Sequence, residues 1–144
     1  MKKIVSIFMI IASLNASDIA QDSYTGLTWQ DNIDVTHKVI TYQKAYEYCQ
    51  NLELDGFSDW RVPTITELLS LVDYNSYKPA ILGGFNFIKD KFYWSSTKYK
   101  NNNYKNWGVD FENGASKIDN IDKKHQIRCV RTTKPKSIDK SLRG

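Results

Sequence analysis

The residues able to do chemistry in this 144-residue chain are few: two cysteines, two histidines and a thin scatter of carboxylates and serines. Cys49 and Cys129 stand far apart, with no third thiol and no CxxC spacing. An even pair with nothing left over is most simply one intramolecular disulfide formed in an oxidising compartment. The alternatives are two buried thiols or a metal site. Zinc asks for four clustered ligands, and only His37 and His125 could join the cysteines, without HxxxH spacing. No metal and no cofactor is therefore expected. Thiol exchange needs a free attacking thiol, which one closed pair does not supply. For hydrolysis, Ser95 and Ser96 follow Trp94, but neither histidine sits in a partnering motif. Asp59 and Glu67 could be cast as acid and base, yet Glu67 fits a helix cap and Asp59 a loop. Asp55, Asp59 and Asp110 could offer oxygens to calcium, without a recognisable calcium loop. No catalytic residue is assigned, and the domain is expected not to be an enzyme.

The N-terminus bears on the compartment. Lys2 and Lys3 precede an apolar run from Ile4 to Leu14, and Asn15-Ala16-Ser17 offers small residues for cleavage. This reads as a signal peptide over residues 1–16, cut after Ala16. A membrane anchor needs about 20 apolar residues, which the run does not reach. No cysteine stands near the cut to carry a lipid. The expected location is periplasmic or extracellular, with no transmembrane segment after cleavage. The remainder is long enough for one domain, residues 17–131, and too short for two. Residues 132–144 carry proline and like charges and are expected to be a disordered basic tail.

The net charge of +4 hides a division. From Asp18 to Asn75, ten acidic residues stand against three basic, whereas Ser76 to Arg131 carries eleven basic and five acidic. Opposite halves can simply attract within one fold; the sharper reading is a basic face on the second half. Its candidate ligand-binding residues are Lys98, Lys100 and Lys105, interleaved with Tyr99 and Tyr104 in an exposed polar stretch, together with Lys123 and Lys124. Arg128 or Arg131 is expected to face outward and complete the patch. A run of lysines suits sulfate or carboxylate groups, and tyrosines suit sugar rings. A folded body this close to neutral is not expected to bind nucleic acid.

The elements that position these residues follow from pattern. Gly26–Gln30 reads as a short strand carrying Trp29. Thr41 can cap a helix to about Leu52, with Ala45, Cys49 and Leu52 on its inner face. Thr64 and Glu67 form a capping box after Pro63, opening a second helix with Leu68, Leu69, Leu71 and Val72 buried. Trp60 and Arg61 lie in the loop between, where Arg61 is expected to pair with a carboxylate or loop carbonyls. The second half is β in character. Phe92–Thr97 and Trp107–Phe111 are strands, with Trp107, Val109 and Phe111 on one face, followed by a partner strand to about Ile118. Asn113-Gly114 suggests a type I′ hairpin between the last two. A final strand from Gln126 to Arg131 places Ile127 and Cys129 together. Trp94 and Trp107 could line a groove, although core packing is the commoner fate of such residues. Asn75–Gly84 should be irregular.

Taken in order, YTGLTWQD, YCQNLELDGFSDWRVPTITELLSLVDY, YWSST, WGVDFENG and IRCVR resemble the Lcl C-terminal domain family of bacterial exported proteins. The RVPTxxE step and the closing RCVR are also similar to the formylglycine-generating-enzyme superfamily. That resemblance implies an α+β, C-type-lectin-like fold, with two helices on a twisted, mostly antiparallel sheet, one disulfide and adjacent chain ends. It also implies modest function. One member is the terminal domain of a collagen-like adhesin that binds sulfated glycosaminoglycans as a trimer. This chain lacks Gly-X-Y repeats, so its oligomeric state stays open. The resulting expectation is a recognition domain for an anionic glycan or envelope component, with a structural or protein-interaction subunit of an envelope assembly as the alternative.

Overall fold

The computed structural model describes residues 17–133. Within them the fold is α+β, with eight strands in two sheets and three short helices. The first sheet joins the two ends of the described chain. β1 (Ile19–Asp22), β2 (Leu27–Gln30) and β8 (Val130–Thr132) lie antiparallel in that order, with Trp29 opposite both Ala20 and Val130. The Asp22 carboxylate receives the Tyr24 amide and the Thr25 hydroxyl, tying the turn between β1 and β2. The expectation of adjacent chain ends is met by this pairing. Thr132, placed in the tail by composition, instead belongs to β8, and the Thr133 amide donates to the Gly26 carbonyl. The signal-peptide reading of residues 1–16 and the tail beyond Thr133 lie outside the described residues.

The second sheet has the order β3 (Val39–Ile40), β7 (His125–Gln126), β4 (Phe92–Lys98), β5 (Lys105–Asp110), β6 (Ala115–Asn120). Its pairings are antiparallel apart from β4 with β7, which makes the sheet mixed. Side chains alternate across a strand. Tyr93 accordingly joins a core with Trp29, Leu68, Leu71, Val109, Phe111 and Val130, while its neighbour Trp94 joins another with Ala45, Cys49, Trp60 and Ile127. β5 passes under the Phe92 ring, and a Cβ at Gly108 would stand 2.2 Å from it, so only glycine fits there.

Three helices form instead of the two expected. α1 (Asp34–His37) is a single turn, α2 (Tyr42–Asn51) carries Ala45 and Cys49 inward, and α3 (Ile65–Leu69) opens with the complete Thr64–Glu67 capping box. Thr41 occupies the N-cap of α2 but makes no side-chain cap bond. Leu71 and Val72 are buried as expected, beyond the end of α3. The disulfide joins Cys49 on α2 to Cys129, with Cα atoms 5.6 Å apart. It fastens helix to chain end within the second core.

Two strand expectations change. The Gln126–Arg131 strand is interrupted: residues 127–129 cross from the second sheet to the first, leaving β7 and β8 in different sheets. The β5–β6 connection is a four-residue loop between Asp110 and Ala115, not a type I′ turn. The Phe111 backbone is already engaged, donating to Lys91 and accepting from Ala80, so it cannot extend the ladder with β6. Gly114 supplies the left-handed residue, at φ +81°, and its amide closes on the Asp110 carbonyl.

Candidate functional site

The polar stretch between β4 and β5 is a tight, internally bonded hairpin end. The Tyr99 amide donates to the Lys105 carbonyl at 2.9 Å, and the Lys105 amide to Asn102 at 3.1 Å. The Asn102 side chain accepts from the Tyr104 amide at 2.9 Å. Asparagine side chains replace missing ladder partners in turns, which is why an NNN run suits this place. Lys98 and Lys100 are exposed and Lys105 half-buried. Tyr104 is 70% exposed, whereas Tyr99 sets the edge of its ring against Trp107, centroids 5.9 Å apart. Trp107 is itself half-buried and shares its strand face with Lys105, whereas Lys98, paired with Asn106, faces the other side of the sheet. The Ile121 amide donates to the Tyr104 carbonyl, which brings the 121–123 turn and Lys123 to the same end of the sheet. Lys98, Lys100 and Lys105 form no salt bridge with any described residue. Their ammonium groups are therefore available to anionic oxygens, and the hairpin bonds fix their spacing.

Other expected members go elsewhere. Lys124 lines a recess with Asp90, Lys91 and Glu112, at the Phe92 end of β4. Arg128 does not face outward: it is 2% exposed, donating to the carbonyls of Gln30 at 2.6 Å and Phe87 at 2.5 Å. Asp31 stands 3.4 Å away, and the Phe85 ring covers the guanidinium. Burial draws its pKa down, while Tyr93 and Asp31 oppose that shift. Ile127 and Cys129 pack in one core and Arg128 is buried beneath Asp31 and the 85–87 segment, so both sides of this crossing segment are covered. Arg131 is also buried, bonded to Asp59 at 2.6 Å and lying 3.7 Å from the Phe57 ring. Both arginines hold the fold together and leave the basic face to the lysines.

The motif residues are structural in placement. Arg61 donates to both Glu67 oxygens, at 2.6 and 2.7 Å, pairing with a carboxylate as expected. Glu67 also receives the Thr64 amide. Burial pushes the Glu67 carboxyl up, but the Arg61 bond and the Thr64 amide outweigh it and hold it below its ordinary value. Pro63 is buried, and its carbonyl accepts the Ser96 amide. Trp94 is fully buried with its indole donating to the Ile40 carbonyl, and Trp60 donates to Phe57. Trp94 thus belongs to the core and not to a groove.

Asp55, Asp59 and Asp110 do not converge. Among the described residues no group of three or more His, Cys, Asp or Glu side chains is placed to hold a metal ion. Asp59 holds Arg131, and Asp110 holds Lys117 at 2.8 Å. One contact was not legible from spacing: His125 Nε2 lies 2.6 Å from Asp119, with the imidazole against Phe92 and Trp94. No described serine, threonine or tyrosine hydroxyl bonds to that histidine, and Ser95 donates instead to the Trp107 carbonyl at 2.6 Å. A nucleophile–base–carboxylate relay is therefore not assembled here.

Comparison with curated proteins finds no match. The family of Lcl C-terminal domains does match, over residues 18–131. That span runs from the start of β1 into β8 and includes both cysteines, the capping box and the lysine hairpin. The chain belongs to the Lcl C-terminal domain family.

Proposed function

We propose that this is an exported, noncatalytic recognition domain that binds an anionic glycan through the β4–β5 hairpin end. The observation that carries the reading is the set of Lys98, Lys100 and Lys105 on one hydrogen-bonded hairpin end, without salt-bridge partners among the described residues, near the Tyr99–Trp107 pair and the exposed Tyr104. Lysines attract sulfate or carboxylate groups as point charges, and aromatic faces and edges suit sugar rings. The fold supports the same reading. Paired chain ends, helices packed on a mixed sheet and one bridging disulfide fit a C-type-lectin-like domain, a design whose disulfide suits an exported protein. No helix among the described residues is long and apolar enough to cross a membrane.

Retention on immobilised heparin at rising salt tests the proposal. The full chain should bind at low ionic strength and elute as salt screens the contacts. The Lys98→Gln, Lys100→Gln, Lys105→Gln triple variant should elute markedly earlier with its fold unchanged. Equal elution of the two proteins would remove the hairpin as the site, and no retention at low salt would remove the anionic ligand.

A further inference from the structure

Four strands end the two sheets, and β6 offers the longest free edge among the described residues. β3 has two residues, β8 has three and is bridged through Val130 to Arg61, and β1 has four and borders the 82–86 loop. β6 runs for six residues without proline, in unbroken register with β5. Its outward groups follow from that ladder. The Ile121 amide donates to the Tyr104 carbonyl, so Lys117 and Asp119 turn their backbone groups to β5, while Ser116 and Ile118 turn theirs away. No described element bonds to those outward groups. An unpaired edge is a template for another strand, and lysine is one device that blocks such pairing. Here Lys117 leans back over its own sheet to Asp110 at 2.8 Å, and Asp119 to His125 at 2.6 Å, which leaves the edge open.

We infer that β6 pairs antiparallel with β6 of a second copy of this chain, in a two-fold dimer centred on Ile118. Antiparallel strands set residues directly opposite one another; opposite charges in such a pair stabilise it and like charges destabilise it. A centre at Lys117 sets lysine against lysine, and one at Asp119 sets aspartate against aspartate. Centred on Ile118, each Lys117 faces the copy's Asp119, Ser116 faces Asn120, and Ile118 meets itself across the axis. The Ile118 pair then exchanges two backbone hydrogen bonds, since its groups already point outward. An ammonium has three donors and a carboxylate about four acceptor sites, so Lys117 and Asp119 can meet the copy beside their bonds within the chain. The same patch serves both copies, as a two-fold interface requires. One strand pair buries little surface, so the dimer is weak and concentration-dependent. The interface uses none of the hairpin lysines and does not rest on the anionic-glycan reading.

Sedimentation of the full chain over a concentration series tests it. The chain should pass from monomer toward dimer as its concentration rises to about 1 mM, and hydrogen exchange at the Ile118 amide should slow over the same range. The Lys117→Glu variant sets two acidic side chains opposite each other, and the Asp119→Lys variant two basic ones. Each alone, checked as folded by circular dichroism, should dimerise roughly 10-fold or more weakly. Mixed in equal amounts, the two variants restore opposite charges at both contacts, and association should return. A chain that stays monomeric throughout, exchange at Ile118 that ignores concentration, a dimer that neither reversal weakens, or a mixture of folded variants that recovers no association would overturn the assignment.

Discussion

Asp31 accepts the amides of Asn86 and Phe87 while facing Arg128, so one buried carboxylate organises a loop and steadies a buried cation. Removing one partner of such a pair strands the other, which costs more than the pair itself contributes. The Asp31→Ala variant should lose about 3–5 kcal/mol in urea unfolding. A loss below about 1 kcal/mol would mean that the Gln30 and Phe87 carbonyls hold Arg128 unaided. Glu67 gives a pH-dependent counterpart. Its carboxyl ionises more readily in the folded chain than at its ordinary value of 4.5, so its stabilisation is fully present above that value. It is lost as pH falls through the lower folded value. Unfolding free energy should therefore fall in acid below about pH 4.5, and the Glu67→Gln variant should show a shallower acid limb. Identical limbs would place the acid sensitivity on other carboxylates.

Among the elements, local rules were readable and long-range ones were not. The α3 start lay open in Thr64 and Glu67, because a capping box is made within four residues. Cys49 on the inner face of α2 followed from helical spacing. β3 and α1 were invisible because their 2 and 4 residues are too short to show a period, and β1, as short as β2, lacks the β-prone residues and turn signal that marked β2. The inward turn of Arg128 was hidden for another reason. Its partner Asp31 lies 97 positions away, and an arginine opposite Ile127 and Cys129 looks solvent-facing until the 85–87 segment is seen to cover that side as well. The lysine hairpin was legible as exposed polar sequence, but its asparagine bonds and aromatic root required coordinates. The disulfide is the strongest long-range constraint, closing a loop of 80 residues. Its reduction should lower stability by about 4–5 kcal/mol on the chain-entropy view. Thiol titration should find no free cysteine in the native protein, and two reactive thiols would contradict the pairing.

At the scale of the whole molecule, charge and architecture divide the labour. The acidic first half supplies Asp31, Asp59 and Glu67 to the arginines that close the fold, and this internal pairing takes Arg61, Arg128 and Arg131 off the basic surface. The hairpin lysines remain among the cations that form no salt bridge with a described residue. This end of the sheet is the proposed ligand surface, and amide NMR with a short heparin oligosaccharide reads it residue by residue. Signals of residues 98–105 and 121–123 should shift together and saturably, with the effect fading as salt rises. Shifts centred instead on Lys89, Lys91 and Lys124, or no shifts at low salt, would contradict it.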